Sequence, residues 1–287
     1  MASVIQSKTP AFEETLSSPI QLSLVLLTWN SEKYIQRCVE SLKSSLSDSA
    51  YKWEAIIVDN GSLDNTVPIL KKLSQENPDQ FHICLLPFNH GTTVSRNIAL
   101  KKARGTFVAI VDSDIEITQK IFPLLIDVLE KDDSIGLVAP QILYPSGKWQ
   151  KSYDRFPTIF QKINRFFRLK AVENRQRLLK TVETRKNVDY AISAFWLFRR
   201  TLLDTVGLLD EKIFYSPEDV DYCLRIWKAG YGIVYFPGCS VVHHSQEISR
   251  GWKINKAKFH HLAGLFYFFR KHRYFFTPPE FHSKQAV

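Results

Sequence analysis

Residues 107–114 read FVAIVDSD, and this stretch decides the fold. The apolar run Phe107–Val111 is too short for a helix and too uniformly apolar for a strand with one wet face. It fits a strand buried on both sides, as in a parallel sheet. Three upstream runs share that character: Leu22–Leu27, Ala55–Val58 and Ile83–Leu86. Helical patterns fill the gaps between them. After Asn30-Ser31, a capping pair, the residues Tyr34, Ile35, Cys38, Val39, Leu42 and Leu46 recur at helical spacing. A second helix follows Asp64, with Pro68 in its first turn and Ile69, Leu70 and Leu73 as the inward stripe. A third opens at Thr92-Thr93, runs to Ala103 and stops at Gly105. These starts and stops follow ordinary capping chemistry. Strand and helix in alternation predict right-handed β-α-β crossovers and a doubly wound α/β fold.

The polar residues fall where such a fold binds ligands. Thr28-Trp29-Asn30 follows the first run, Asp59-Asn60-Gly61-Ser62 the second, Asn89-His90-Gly91 the third and Asp112-Ser113-Asp114 the fourth. All four groups lie at carboxyl ends of strands, the binding edge of open α/β sheets. One such group is ordinary turn chemistry, whereas four on one edge predict a site.

Each group offers a chemistry and a plainer alternative. Asp112 and Asp114 can hold Mg²⁺ or Mn²⁺ together with substrate phosphates, or can cap a turn before the helix around Ile121–Leu129. Asp59 can accept hydrogen bonds from a base or ribose, or can make an Asx-turn. Arg96 can reach diphosphate oxygens, or can lie on a solvated helix face. Downstream, Pro217-Glu218-Asp219-Val220-Asp221 opens a helix whose buried stripe is Val220, Leu224 and Trp227 and which ends at Gly230. Its acids complement the helix dipole, and Asp219 also has the place of a general base for an acceptor hydroxyl. A strand over Gly232–Phe236, a turn at Pro237-Gly238 and Val241-Val242 then lead to His243-His244. One of these histidines can complete a metal shell, or both can be satisfied polar residues.

In this order the segments LSLVLLTWNSEKYIQRCVESL, IIVDNGSLDNT, NHGTTVSRNIALKKARGTFVAIVDSD, VDYAISAFWLFRRTLLDTVGLLDE and FYSPEDVDYCLRIWKAGYGIVYFPGCSVVHHSQEIS resemble the inverting family 2 glycosyltransferases with the GT-A fold. The similarity is to the branch that contains rhamnosyltransferases, and it covers residues 21–250. Each motif is weak alone; their order and spacing are specific. The resemblance implies a Rossmann-like, mostly parallel central sheet flanked by helices, with a C-terminal basic helical tail. It implies that Thr28, Asn30 and Asp59 line the nucleotide pocket; the strand ends and the third helix add Asn89, Arg96 and Ser113 as candidate donor-binding residues. It further implies that Asp112 and Asp114 hold Mg²⁺ or Mn²⁺ with the donor diphosphate, and that His244, rather than His243, joins the metal shell. Asp219 would be the catalytic base, and Glu218 would bind or orient the acceptor. Departures from the family pattern are Ala99 for a glycine, Ser193-Ala194 for Gly-Ala and Leu208-Leu209 for Gly-Phe. The first two line the donor or acceptor cleft in relatives and so bear on substrate identity.

The expected organisation is a flexible N-terminal arm (1–20), a nucleotide-sugar-binding half (21–118) and an acceptor and catalytic-base half (119–250). The last of these carries a basic insertion (155–187), and a basic aromatic helical tail follows (251–287). The arm, MASVIQSKTPAFEETLSSP, lacks a basic start followed by an apolar stretch, and no apolar run reaches the ~18 residues of a membrane span. Four scattered cysteines without C-x-x-C spacing read as core residues of a cytoplasmic protein. The net charge of +9 is uneven: residues 155–186 carry +8 and residues 250–287 carry +7, leaving −6 for the rest. The site-bearing part is therefore acidic, which argues against a basic nucleic-acid-binding protein and for no nucleic-acid partner. The basic patches suit an anionic membrane at the inner face or a phosphate-bearing lipid carrier, and equally a solvated helix face. A nucleotidyltransferase is the enzymatic alternative, but no glycine-rich phosphate loop is present among the 11 glycines. The expected partners are a dTDP- or UDP-linked sugar donor, rhamnose being one candidate sugar, and a saccharide or lipid-linked acceptor.

Overall fold

A computed structural model describes residues 19–161, 184–244 and 256–281. Most of the N-terminal arm and of the basic insertion, and the chain just after His244, lie outside the described residues. The elements in chain order are β1 (Leu22–Thr28), α1 (Ile35–Leu46), β2 (Trp53–Asp59), α2 (Thr66–Glu76), β3 (Phe81–Leu85), α3 (Thr92–Leu100), β4 (Phe107–Asp112) and β5 (Ile115–Glu116). They continue with α4 (Phe122–Glu130), β6 (Ile135–Leu143), β7 (Tyr153–Asp154), β8 (Lys186–Asn187), β9 (Tyr190–Ala191), β10 (Phe195–Arg199), α5 (Leu202–Val206), α6 (Glu218–Lys228), β11 (Gly232–His243) and α7 (Lys256–His272).

The main sheet runs β3-β2-β1-β4-β10-β6-β11-β5, with β8 paired to β11. Strands β3, β2, β1 and β4 are mutually parallel, β10 is antiparallel to both neighbours, and β11 is parallel to β6. The sheet is thus mostly parallel and covered on both faces, as expected. Alternation along each strand divides its side chains between two layers. Leu22, Leu24 and Leu26 of β1 face α1, α2 and α4, while Val25 faces the layer that includes α3, α6 and α7. Residues of β4 split the same way: Phe107, Ala109 and Val111 to one layer, Val108 and Ile110 to the other. This two-sided burial is why the strands read as unbroken apolar runs.

Three local expectations are corrected. Helix α1 begins at Ile35 without a side-chain cap, because Asn30 (φ 50°) and Ser31 turn the chain and pin neighbouring loops instead. Helix α3 ends at Leu100, short of Ala103. Pro237-Gly238 makes no turn: β11 continues through it with a register shift between Phe236 and Ser240. A bulge accommodates proline because the extra residues are out of the ladder.

Candidate active site

The carboxyl ends of β1, β2, β3 and β4 gather the predicted polar residues into one crevice. Thr28 Oγ1 donates to Asp59 Oδ1 at 2.9 Å, and Ser62 donates its backbone N–H to Asp59 Oδ2 at 2.9 Å. Asp59 is buried and spends both carboxylate oxygens on Thr28 and Ser62, which fixes its loop at the binding edge. Asn30 holds the same loop from across the crevice, its Oδ1 accepting from Leu63 N at 2.9 Å. Asn60 Nδ2 donates to Asn89 Oδ1 at 3.0 Å, which joins the loops after β2 and β3. Ser113 Oγ lies 2.8 Å from Ser31 Oγ and ties the loop after β4 to the one after β1.

Arg96 occupies the centre. It lies on α3, is 3% exposed, and is no solvated helix residue. Its Nη2 donates to Asp112 Oδ1 at 2.5 Å, and its Nη1 donates to Ser193 Oγ at 2.8 Å and lies 3.4 Å from Glu218 Oε1. Ser193 Oγ in turn donates to Glu218 Oε1 at 2.9 Å. One buried guanidinium thus joins the Asp-x-Asp loop to the start of α6. Burial pushes the Glu218 carboxyl up to about 8, reinforced by the charge of Asp219 and opposed by Arg96. Asp219, the next residue, is half-exposed, and its Oδ1 accepts from Val220 N at 2.8 Å.

The short pairing of β5 with β11 sets the histidines. It places His243 opposite Ile115, immediately after Asp114. His243 Nε2 lies 3.3 Å from Asp114 Oδ1, and ligand atoms of Asp112, Asp114 and His243 all fall within 4.8 Å of one another. His243 Nδ1 donates to Gln150 Oε1 at 3.1 Å, which turns Nε2 toward the acids. Burial lowers the proton affinity of His243, but Asp114 and Asp112 outweigh it and raise it. His244, the expected ligand, faces away from these acids, with Nε2 2.7 Å from Glu116 Oε2 and 3.4 Å from Arg37 Nη1. Adjacent strand residues point to opposite sides, so only one of the pair can face the acids.

Ser193, Ser31 and Gln150 were not singled out as site residues. A departure from the family pattern marked Ser193, but nothing in its surroundings in sequence announced a contact with Arg96 and Glu218. The other two are isolated polar residues without a motif.

A mostly parallel sheet in which β5, β8 and β10 run antiparallel to their partners, with paired acids at its carboxyl edge, is the architecture of the GT-A class. Residues 23–207 match the family described as "Glycosyl transferase family 2", and the chain belongs to that family. An uncharacterised protein of Sinorhizobium fredii is 26% identical over 80% of this chain, which spans a quarter (25%) of that relative's length. The N-acetylglucosaminyl-diphospho-decaprenol L-rhamnosyltransferase of Mycobacterium tuberculosis is 24% identical, with 90% of this chain and 87% of the relative covered. The crystal structure of GalNAc-T7 with UDP, GalNAc and Mn²⁺ superposes with a TM-score of 0.60 at 16% identity. It matches 79% of this chain and 44% of its own, and supports the fold.

Proposed function

We propose that this glycosyltransferase is inverting and assisted by a divalent cation, and that it moves a sugar from a dTDP- or UDP-linked donor to a hydroxyl of a saccharide or lipid-linked acceptor. Rhamnose is the first sugar to try, given the rhamnosyltransferase relative. The observation that carries the proposal is the Arg96 bridge, which joins Asp112 of the Asp-x-Asp loop to Glu218 at the start of α6 through one buried cation.

Thr28, Asn30, Asp59 and Asn89 shape the nucleotide pocket, and Arg96, Asp112 and Ser113 meet the diphosphate. Asp112, Asp114 and His243 offer the oxygen and imidazole donors that Mg²⁺ or Mn²⁺ accepts, and their atoms are close enough to share one ion. When bound, the ion stabilises the charge of the departing diphosphate. Asp219 takes the proton of the acceptor hydroxyl. The hydroxyl oxygen bonds to the anomeric carbon from the face opposite the diphosphate, as the carbon–oxygen bond to the diphosphate breaks and its electron pair leaves with the phosphate. Glu218, its carboxyl pushed up by burial and by Asp219, orients the acceptor and the start of α6.

The enzyme works at the inner face of the cytoplasmic membrane, held peripherally. Among the described residues no helix is long and apolar enough to cross a membrane. Phe160, Phe266 and Phe276 stand exposed beside the exposed arginines Arg270 and Arg273, a composition that suits an anionic lipid surface.

The test is calorimetric binding of UDP- and dTDP-linked sugars to the full chain with Mn²⁺, Mg²⁺ or EDTA. One donor should bind in a metal-dependent manner. Asp114→Ala and His243→Ala should each weaken that binding by about 100-fold or more, and His244→Ala by about 10-fold or less, as for a residue outside the metal shell. Binding that is equal in EDTA ends the metal assignment. No binding of any donor under any condition ends the nucleotide-sugar reading.

A further inference from the structure

The segment from Asp210 to Asp221 carries Glu218 and Asp219, and it is gripped from two sides. On one side is the N-terminus of α3: Thr92 N donates to Phe214 O and Thr93 Oγ1 to Ile213 O, both at 2.7 Å. On the other is α7. Residues 260, 264, 267 and 271 form one stripe along a helix, and 261, 265, 268 and 272 form the next. Members of both stripes meet the segment. The His260 ring stacks on Phe214 at 4.3 Å, and His261 Nδ1 lies 3.0 Å from Ser216 Oγ. Gly264 packs so closely that a Cβ there would overlap the Ser216 carbonyl oxygen and sit 3.2 Å from Pro217 Cδ.

The far end of α7 is a charge clamp. Lys271 Nζ donates to Asp210 Oδ2 at 2.7 Å and to Asp221 Oδ1 at 2.6 Å, so one ammonium ties both ends of the segment. His272 Nε2 donates to Asp221 Oδ1 at 2.8 Å, while its Nδ1 accepts from Lys228 Nζ at 3.0 Å. Asp221 is buried, and among the described residues its side-chain donors are Arg225 Nε at 3.0 Å and the Lys271 and His272 groups of α7. Removing α7 would leave Asp221 with Arg225 alone and strip its other side-chain donors from a buried carboxylate. Phe268 and Phe269 anchor the same helix in the core beside α6.

We propose that α7 is a positioning element for sugar transfer, with Gly264 and Lys271 as positioning residues that fix how the Asp210–Asp221 segment presents Asp219 to the acceptor hydroxyl. The inference rests on Asp219 as the base in the proposed transfer. It separates two parts of the site: the donor edge is built by β1, β2, β4 and β11, and the base is aimed by α7. Gly264→Ala is the sharpest probe. Alanine favours a helix over glycine, so the variant perturbs the contact and not the helix.

The experiment compares the full-length wild type with Gly264→Ala, Lys271→Met and Lys271→Arg. The assay is Mn²⁺-supported release of nucleoside diphosphate from UDP- and dTDP-linked sugars to water and to added saccharide hydroxyls, with thermal melts and hydrogen exchange over residues 210–222. Gly264→Ala and Lys271→Met should lower kcat by about 10- to 100-fold, with donor KM unchanged and faster exchange in 210–222, since a displacement of about 1 Å suffices for such a loss. Lys271→Arg, which keeps the charge and donors, should recover most of kcat. An active wild type with full kcat in Gly264→Ala and Lys271→Met overturns the positioning role and leaves the transferase reading intact. A loss that appears as raised donor KM also overturns it. No release by the wild type from any donor overturns the transferase reading, and the positioning role with it. Should Gly264→Ala fail to melt cooperatively, the contrast between Lys271→Met and Lys271→Arg decides.

Discussion

Glu218 sits with its carboxyl between Ser193 and Arg96, and burial, reinforced by Asp219, pushes it up from 4.5 to about 8. In that window the folded chain holds a proton that the unfolded chain has released, so stability falls as pH rises from the lower value to the upper. Glu218→Gln keeps the shape and removes the titration. Its melting temperature should match wild type near pH 4.5 and exceed it near pH 8, by about 2–4 °C for each kcal/mol recovered in a chain of this size. Melts across pH test this, and an offset that does not vary with pH would show that Glu218 stays ionised. At this scale the acids were legible because carboxylates after a buried strand, or at a helix start, have few roles. Arg96 was legible only as an alternative, since a helical position does not reveal which face is buried. The choice between His243 and His244 was not legible in the sequence. It depends on the phase of β11, which the Phe236–Ser240 bulge resets.

At the scale of elements, β1, β2 and β4 were readable because both their faces are buried, so composition alone marks them, whereas β3 lies at the sheet edge and is only partly buried. Element edges were less so. The pair Asn30-Ser31 has the chemistry of a helix cap, yet here it serves tertiary bonds to Ser62, Leu63 and Thr66. Pro237-Gly238 has the chemistry of a turn, yet it is a bulge in a strand held on both sides by β6 and by the elements that pair with β11. The meeting of α3 with the Asp210–Asp221 segment depends on one glycine. Gly91 has φ +87°, and a Cβ there would press on the Phe214 carbonyl oxygen and ring. Gly147 shares a positive φ of +74° but has nothing within 4 Å of that position, so it isolates the backbone strain from the contact. Gly147→Ala should cost about 1–3 kcal/mol from strain alone. Gly91→Ala should cost clearly more, read as a lower urea midpoint at unchanged slope. Equal losses in the two variants would mean that the loop yields and that α3 does not set its position.

At the scale of the whole molecule, exposed aromatics and exposed arginines among the described residues meet near the end of the tail. The segments beyond residue 154 hold the basic excess, while the remainder of the chain is acidic. Ile159 N donates to Phe275 O at 2.9 Å, which brings the start of the basic insertion beside the end of the tail. Around that junction Phe160 (69%), Phe266 (71%) and Phe276 (79%) are exposed, whereas Phe268 and Phe269 on the other side of α7 are buried in the core. The tail therefore divides its aromatics between packing and surface, and Phe266 belongs to the surface. Deleting the tail would open the core, so point variants are the sound probe. The full chain should float with vesicles that contain anionic lipid and less with neutral ones. Each basic residue at such a surface contributes about 1 kcal/mol, so the partition should fall steeply with salt. Phe266→Ser with Phe276→Ser leaves every buried contact of α7 in place. It should reduce anionic-vesicle binding by about 10-fold or more, since burying a phenylalanine contributes about 1.5–3 kcal/mol. If the double variant floats as the wild type does while binding still falls with salt, the attachment is electrostatic and the basic segments carry it without the aromatics. If the wild type floats with neither vesicle, the exposed aromatics face a protein or a saccharide, and the lipid-linked acceptor loses its main support.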